Sequence, residues 1–532
     1  MPDDRAASRA GGVEARGLLK RGSAGGARAG DLQRHGSAGG AGAAIAGAHN
    51  RVSTAASADP VTGPAAAHVG DLAIVLHSHM PYVEGFGTYP FGEEWLFDAA
   101  VRSYLPVLEV ARDLTLTVTP VLADQLADPD VAGRMRRFLV EHRLRAAELD
   151  IPDVPGEYRD AIGAEERRYR AALGALDACG GDLLALLRAA QAEGRVALMP
   201  SSATHAVLPL LATRAGLRLQ LDAGLRSHRR RFDWDGGFWL PECGYAPGLE
   251  WELARQGVGH FCVDQTDHEA GLEALTPVST EAGPVAFTID WEAVSWLWSP
   301  AGYPADPIYL QFAAKSMRGM RLWRIGGGPY DPAAAEQRAR HHAAEFVGTA
   351  AERLASFAGR RARRGLIVLA FDTELIGHWW SEGPAWLAEV LRLAPQSGLR
   401  LLTLPQALAE HQPEHRPLRA ASWGEGKDFR TWEGPRVADL ALAARRSELR
   451  LLRALGEGLN GRRAMRAARE LLALQSSDWA FLDGRSQAGD YPFQRATWHA
   501  EAMLEAIDSR RPPDPRMRAL APDLSLVPLS EP

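Results

Sequence analysis

Seven short apolar runs punctuate the chain between residues 71 and 372, and stretches of helical period separate most of them. They read DLAIVLH (71–77), LTLTVTPV (114–121), RVALMPS (195–201), GFWLPE (237–242), GHFCVD (259–264), PVAFTID (284–290) and GLIVLAFD (365–372). Near-continuous apolar runs of this length suit strands buried on both faces, and their alternation with helices points to a parallel sheet. The pattern restricts the chain to an α/β fold. A further run, LRLLTL (399–404), is either an eighth strand or a flanking element.

Polar residues collect at the C-terminal ends of these runs. His77 and His79 follow the first, Ser201, Thr204 and His205 the third; Glu242 ends the fourth, Asp264 the fifth and Asp372 the seventh. In a (β/α) barrel that end of the strands carries the active site. A single strand-end carboxylate also serves as a helix cap, and Asp264 is open to that reading. Glu242 is harder to set aside. Phe238, Trp239, Leu240 and Pro241 lead straight into it, and a carboxylate in apolar surroundings is costly unless it is paired or used.

The flanks differ from this central part. Residues 1–68 are rich in Ala, Gly, Arg and Ser with few large apolar side chains, so they are expected to be disordered, and they lack the apolar segment of a secretory signal. The barrel is expected over 69–410, with a helical insertion at about 126–194. From 411 to 515 the pattern becomes amphipathic at helical period, which predicts a separate all-α C-terminal domain. The Pro-rich end, 516–532, is expected to fray. A net charge of -6 argues against a nucleic-acid binder. Three cysteines without a CxxC pair fit a reducing cytoplasm. No apolar run approaches the roughly 18 residues of a membrane span. The 15 tryptophans suit either a sugar-stacking surface or a large core.

Five stretches carry a resemblance. HSHMPY (77–82), SSATHAVLPLL (201–211), FWLPECGY (238–245), FDTELIGHWWSEGP (371–384) and ASWGEGKDF (421–429) occur in the order of the motifs of glycoside hydrolase family 57. LLALQSSDWAFL (471–482) is similar to the C-terminal helical domain of that family's 1,4-α-glucan branching enzymes. The resemblance spans roughly residues 70–510 and implies an incomplete (β/α)7 barrel, with a helical insertion, followed by an all-α domain. It implies a retaining mechanism with Glu242 as nucleophile and Asp372 as general acid/base. Such a pair sits about 5–5.5 Å apart across the scissile bond. It further implies an α-1,4-glucan substrate and no metal or other cofactor; a monomer is the default expectation.

The resemblance assigns sugar contacts to His77, His79 and His205, and wall positions to Trp239, Tyr245, His378, Trp379 and Trp380. Trp423, Gln475, Asp478 and Trp479 would reach over the cleft from the C-terminal side. Plainer readings stand beside these. An HxH pair at a strand end can bind zinc, His205 can be a satisfied structural histidine, one of the tryptophans after Asp372 can be core, and Trp479 can pack at the domain interface.

Three departures bear on the outcome of the reaction. Ala197 stands where relatives often carry a glutamate. Ile289 replaces a sugar-binding arginine, and Ala305 a glycine. The stretch from Asp264 to Phe287 is short and has no tyrosine; none occurs between Tyr245 and Tyr303. Excluding water favours transfer over hydrolysis, and Tyr303 is the candidate to cover the cleft instead. Three functions follow: a branching enzyme, an α-amylase-like hydrolase or 4-α-glucanotransferase, or a non-catalytic glucan-binding protein.

Overall fold

The computed structural model describes residues 68–88, 91–265, 274–508 and 519–530. The expected N-terminal tail lies outside these apart from His68. The seven apolar runs form strands β1 (Gly70–Ser78), β2 (Leu114–Val118), β3 (Val196–Met199), β4 (Gly237–Phe238), β5 (His260–Val263), β6 (Val285–Thr288) and β7 (Leu366–Asp372). All pair in parallel: β2 and β7 flank β1, β3 follows β2, and β4, β5 and β6 are successive neighbours. β1 is buried along its whole length, as its unbroken apolar sequence requires.

Two seams close this arrangement into a ring. Trp239 N donates to the Pro200 carbonyl (2.8 Å) between β3 and β4, and Asp290 N donates to the Val368 carbonyl (2.9 Å) between β6 and β7. The barrel is therefore two hydrogen-bonded sheets joined edge to edge. The LRLLTL run contributes a flanking strand, β8 (Leu399–Leu401), paired with the first residues of β1. His77 is in register with Thr117 on one side and Asp372 on the other, so three polar side chains sit at one level of the ring.

The insertion between β2 and β3 is helical, its longest element being α1 (Arg159–Ala178). It is tied to the barrel by ion pairs among buried groups, including Arg102 with Glu165 and Arg143 with Asp98. Helix α2 (Arg214–Arg229) follows β3, and the long α3 (Pro332–Arg361) precedes β7. The turn after β7 passes close to the insertion side. Gly377 has φ +103°, and a Cβ there would lie 1.8 Å from the Arg102 carbonyl oxygen, so only glycine fits.

Helices α4 (Ala438–Gly456), α5 (Gly461–Leu474), α6 (Ser477–Gly484) and α7 (Tyr491–Asp508) form the C-terminal part. Leu471, Leu472 and Met503 pack in one cluster with Leu219 and Ala223 of α2. The expectation of a fraying end is corrected for residues 519–530. Leu520, Leu524 and Leu529 are buried in that same cluster, and Ala521 N donates to Asp124 Oδ2 (2.7 Å). Apolar burial outweighs the loss of chain entropy here. Leu520→Ala is expected to cost about 2–5 kcal/mol, read as a lowered midpoint in denaturant unfolding.

Candidate active site

The chain leaves β4 through a tight turn, Pro241–Cys243, in which Glu242 (φ 57°) and Cys243 (φ 49°) are both left-handed. Non-glycine residues hold that conformation at a cost, which surrounding bonds must offset. Cys243 N and Gly244 N donate back to Leu240 and Pro241, and the Glu242 carbonyl accepts from Trp423 N at 2.7 Å. The Glu242 carboxylate accepts from Ser477 Oγ (3.2 Å), the first residue of α6.

A chain of bonds leads from that serine back into the barrel. Ser477 Oγ lies 2.9 Å from His205 Nδ1, His205 Nε2 lies 2.8 Å from His77 Nε2, and His77 Nδ1 lies 2.5 Å from Thr117 Oγ1. Because the serine donates to Glu242, it must accept from His205 Nδ1–H. His205 Nε2 then accepts from His77 Nε2–H, and His77 Nδ1 accepts from the threonine hydroxyl. One tautomer of each ring satisfies the whole chain, with both imidazoles neutral. Their basicity agrees: burial, and then the neighbouring imidazoles, hold His77 and His205 well below the usual histidine range.

His79 lies beside this chain, its ring 4.0 Å from that of His205. It bonds Thr119 Oγ1 (3.1 Å) through Nδ1 and Asp478 Oδ2 (2.9 Å) through Nε2. Burial alone would raise Asp478, but His79 and the Ser476 hydroxyl bring it down to about 2. Asp478 is thus a fixed anion. The opposite holds for the two strand-end carboxyls. Burial, then the charges of Asp372 and Asp478, push Glu242 up to about 8. Burial and the Asp478 charge push Asp372 up to about 7, against the pull of His79. Glu242 and Asp372 therefore feel one another and hold a proton near neutrality.

The remaining expected site residues divide. Trp423 stays at the site, meeting Trp239 edge-on at 5.2 Å. Trp379 is 36% exposed beside Trp298, and His378 adjoins it. His378 is held down to about 3 by burial and the Arg321 charge, so it is neutral. Five assignments are corrected. Trp239 is fully buried and stacks on His77 at 4.7 Å, so it backs the histidine and does not face a sugar. Trp380 is core, packed on Trp386. Gln475 bridges Gln220 and Glu448 between α2 and α4. Trp479 is buried with its indole N–H on the Ala473 carbonyl (2.7 Å); it packs the helical domain. Tyr245 is likewise buried, its hydroxyl on Glu250.

The departures also find places. Ile289 is buried in the core. Tyr303 stacks flat on His342 of α3 at 4.5 Å, so its ring is engaged there. Asp264 pairs with Lys427 (2.7 Å). Most of the short stretch after Asp264, residues 266–273, lies outside the described residues. Sequence reasoning missed Ser477, Glu374, Tyr104, Lys427, Thr117 and Thr119. The two threonines had a visible signal: they alternate at period two within the apolar run LTLTVT. Among the described residues no group of three or more His, Cys, Asp or Glu is arranged to hold a metal ion.

Two coupled carboxyls at the strand ends of a parallel α/β ring, lined by neutral imidazoles and completed by a helical domain, define a glycoside-processing barrel enzyme. The profile of "Glycosyl hydrolase family 57" matches residues 73–418, and that of "1,4-alpha-glucan branching enzyme, C-terminal" matches 443–521. The chain belongs to glycosyl hydrolase family 57. It is 36% identical to a probable 1,4-alpha-glucan branching enzyme of Mycobacterium tuberculosis over 84% of this chain and 92% of that one. It is 33% identical to a 1,4-alpha-glucan branching enzyme of Thermococcus kodakarensis over 81% and 72%. The crystal structure of the family 57 branching enzyme of Pyrococcus horikoshii superposes with a TM-score of 0.81 at 31% identity, covering 87% of this chain and 98% of the other.

Proposed function

We propose that the chain is a 1,4-α-glucan branching enzyme working by retention through Glu242 and Asp372. The coupled pair shares one proton, and the reacting form is the one in which Asp372 holds it: ionised Glu242 attacks the anomeric carbon of an α-1,4 bond while Asp372 donates that proton to the departing 4-oxygen. Asp372, now a base, takes the proton of an acceptor's 6-hydroxyl as that oxygen displaces Glu242. His77, His79 and His205 present neutral or Asp478-paired imidazoles to the sugar hydroxyls. The single observation that carries this reading is the Ser477–Glu242 bond: the branching-enzyme-like C-terminal helices complete the nucleophile's hydrogen bonding. We place the enzyme in the cytoplasm, consistent with three free cysteines, and take a monomer as its working state.

A second reading, hydrolysis, is favoured by one observation: Tyr303, the candidate to cover the cleft, stacks on His342. Incubation with amylose separates the two. Branching gives new α-1,6 signals in proton NMR with little rise in reducing ends; reducing ends alone make the enzyme a hydrolase. Absence of both with glucan still bound returns the non-catalytic reading.

The upward shifts to about 8 and about 7 set the pH dependence. The rate is expected to fall as pH rises past about 8, where the pair loses its last proton and no acid remains. It falls again on the acid side, once both carboxyls are protonated and no nucleophile remains. A pH–rate profile on amylose checks this; a rate still rising above pH 9 would refute it.

A further inference from the structure

A third carboxyl lies two residues beyond Asp372 and takes no part in the scheme above. Glu374 is buried in the turn Thr373–Leu375 that follows β7. Its Oε1 accepts from the backbone N–H of His79 (3.2 Å) and from the hydroxyl of Tyr104. The same hydroxyl lies 3.2 Å from the His79 carbonyl oxygen. Both backbone groups of His79 are therefore met by this pair, while the His79 ring spans Thr119 and Asp478. Ser78 and Thr373 add a parallel tie, hydroxyl to hydroxyl at 2.8 Å, and Ser103 Oγ donates to the Thr373 carbonyl (2.5 Å). The turn carrying Asp372 is thus pinned to the end of β1.

Two features favour a protonated Glu374. Tyr104 has one hydroxyl proton and two acceptors within reach, so it serves both only in alternation unless Glu374 itself carries a proton. A charge in a buried turn costs free energy, which favours the protonated carboxyl. We propose that Glu374 is a positioning residue for the reaction: with Tyr104 it fixes the Asp372 turn against the His79 backbone. In support, burial and then the Asp372 charge push Glu374 up to about 8, so it stays neutral while Asp372 exchanges its proton at about 7. The inference rests on the reading of Asp372 as the general acid/base.

Two variants test the positioning. Glu374→Gln keeps an acceptor for the His79 N–H and the Tyr104 hydroxyl and, like the protonated glutamate, carries no charge. It is expected to keep kcat within about twofold of wild type and to leave the alkaline limb of the pH–rate profile in place. Glu374→Asp sets the carboxyl on an arm one methylene shorter. It is expected to leave the limb in place and lower kcat by about tenfold with KM unchanged, since positioning acts on the transition state and not on uniform binding. A kcat in Glu374→Gln as low as that in Glu374→Asp, or a wild-type kcat in Glu374→Asp, would overturn the inference while Asp372→Asn stays inactive. An active Asp372→Asn would instead overturn the assignment of the acid, and this inference with it.

Discussion

Glu242→Gln is expected to lower turnover of amylose on the order of 10⁴-fold, abolishing branching and hydrolysis together. Both outcomes pass through the same glycosyl-enzyme, so no repartition between them can rescue the rate. The variant keeps the Ser477 bond and the left-handed turn, so glucan binding is expected to survive. Stability gives a control. The folded-state value of Glu242, about 8, lies above its ordinary 4.5. The wild-type fold therefore binds the proton more tightly than the unfolded chain, and it loses that stability as pH rises from about 4.5 through about 8. Glutamine has no such loss. The variant is expected to melt at or above the wild-type temperature at pH 9, the advantage narrowing toward pH 4. A dead enzyme that also melts early would mean a damaged turn, not a missing nucleophile.

Asp372→Asn is expected to lower amylose turnover by about 10²–10⁴-fold, with a different signature. A nitrophenyl maltooligoside has a leaving group that needs no acid. With it the first step recovers, but the second does not, because no base remains to activate the acceptor. A burst of nitrophenol and a mass increment on the Glu242 peptide are the expected results. Equal losses on amylose and on the nitrophenyl substrate would sink the assignment.

The barrel was legible because most strands are buried on both faces and so carry near-continuous apolar runs shorter than a typical helix. Glu242 and Asp372 were legible because a carboxyl at the end of such a run has few structural uses. Tryptophans were not. Trp239, Trp380 and Trp479 are core, while Trp379 is partly exposed; nothing in the neighbouring letters separates a ring facing sugar from one facing leucine. Gln475 belongs to a contact between α2 and α4, residues more than two hundred positions apart, and such pairings leave no local trace. The C-terminal end was misread because its prolines drew attention from Leu520, Leu524 and Leu529, which supply the apolar side chains that dock residues 519–530.

The line of bonds from Thr117 through His77, His205 and Ser477 to Glu242 makes the proposed nucleophile the joint property of two modules. A gene fusion that exchanged the C-terminal helices would sever the line wherever the incoming helix lacks the serine. Recombination among relatives is therefore safe only where the crossover leaves the His205 loop and the start of α6 inherited together. For anyone building chimeras with altered branch length, the unit of exchange is this linked pair, and the usual cut at the domain border is the wrong place to join.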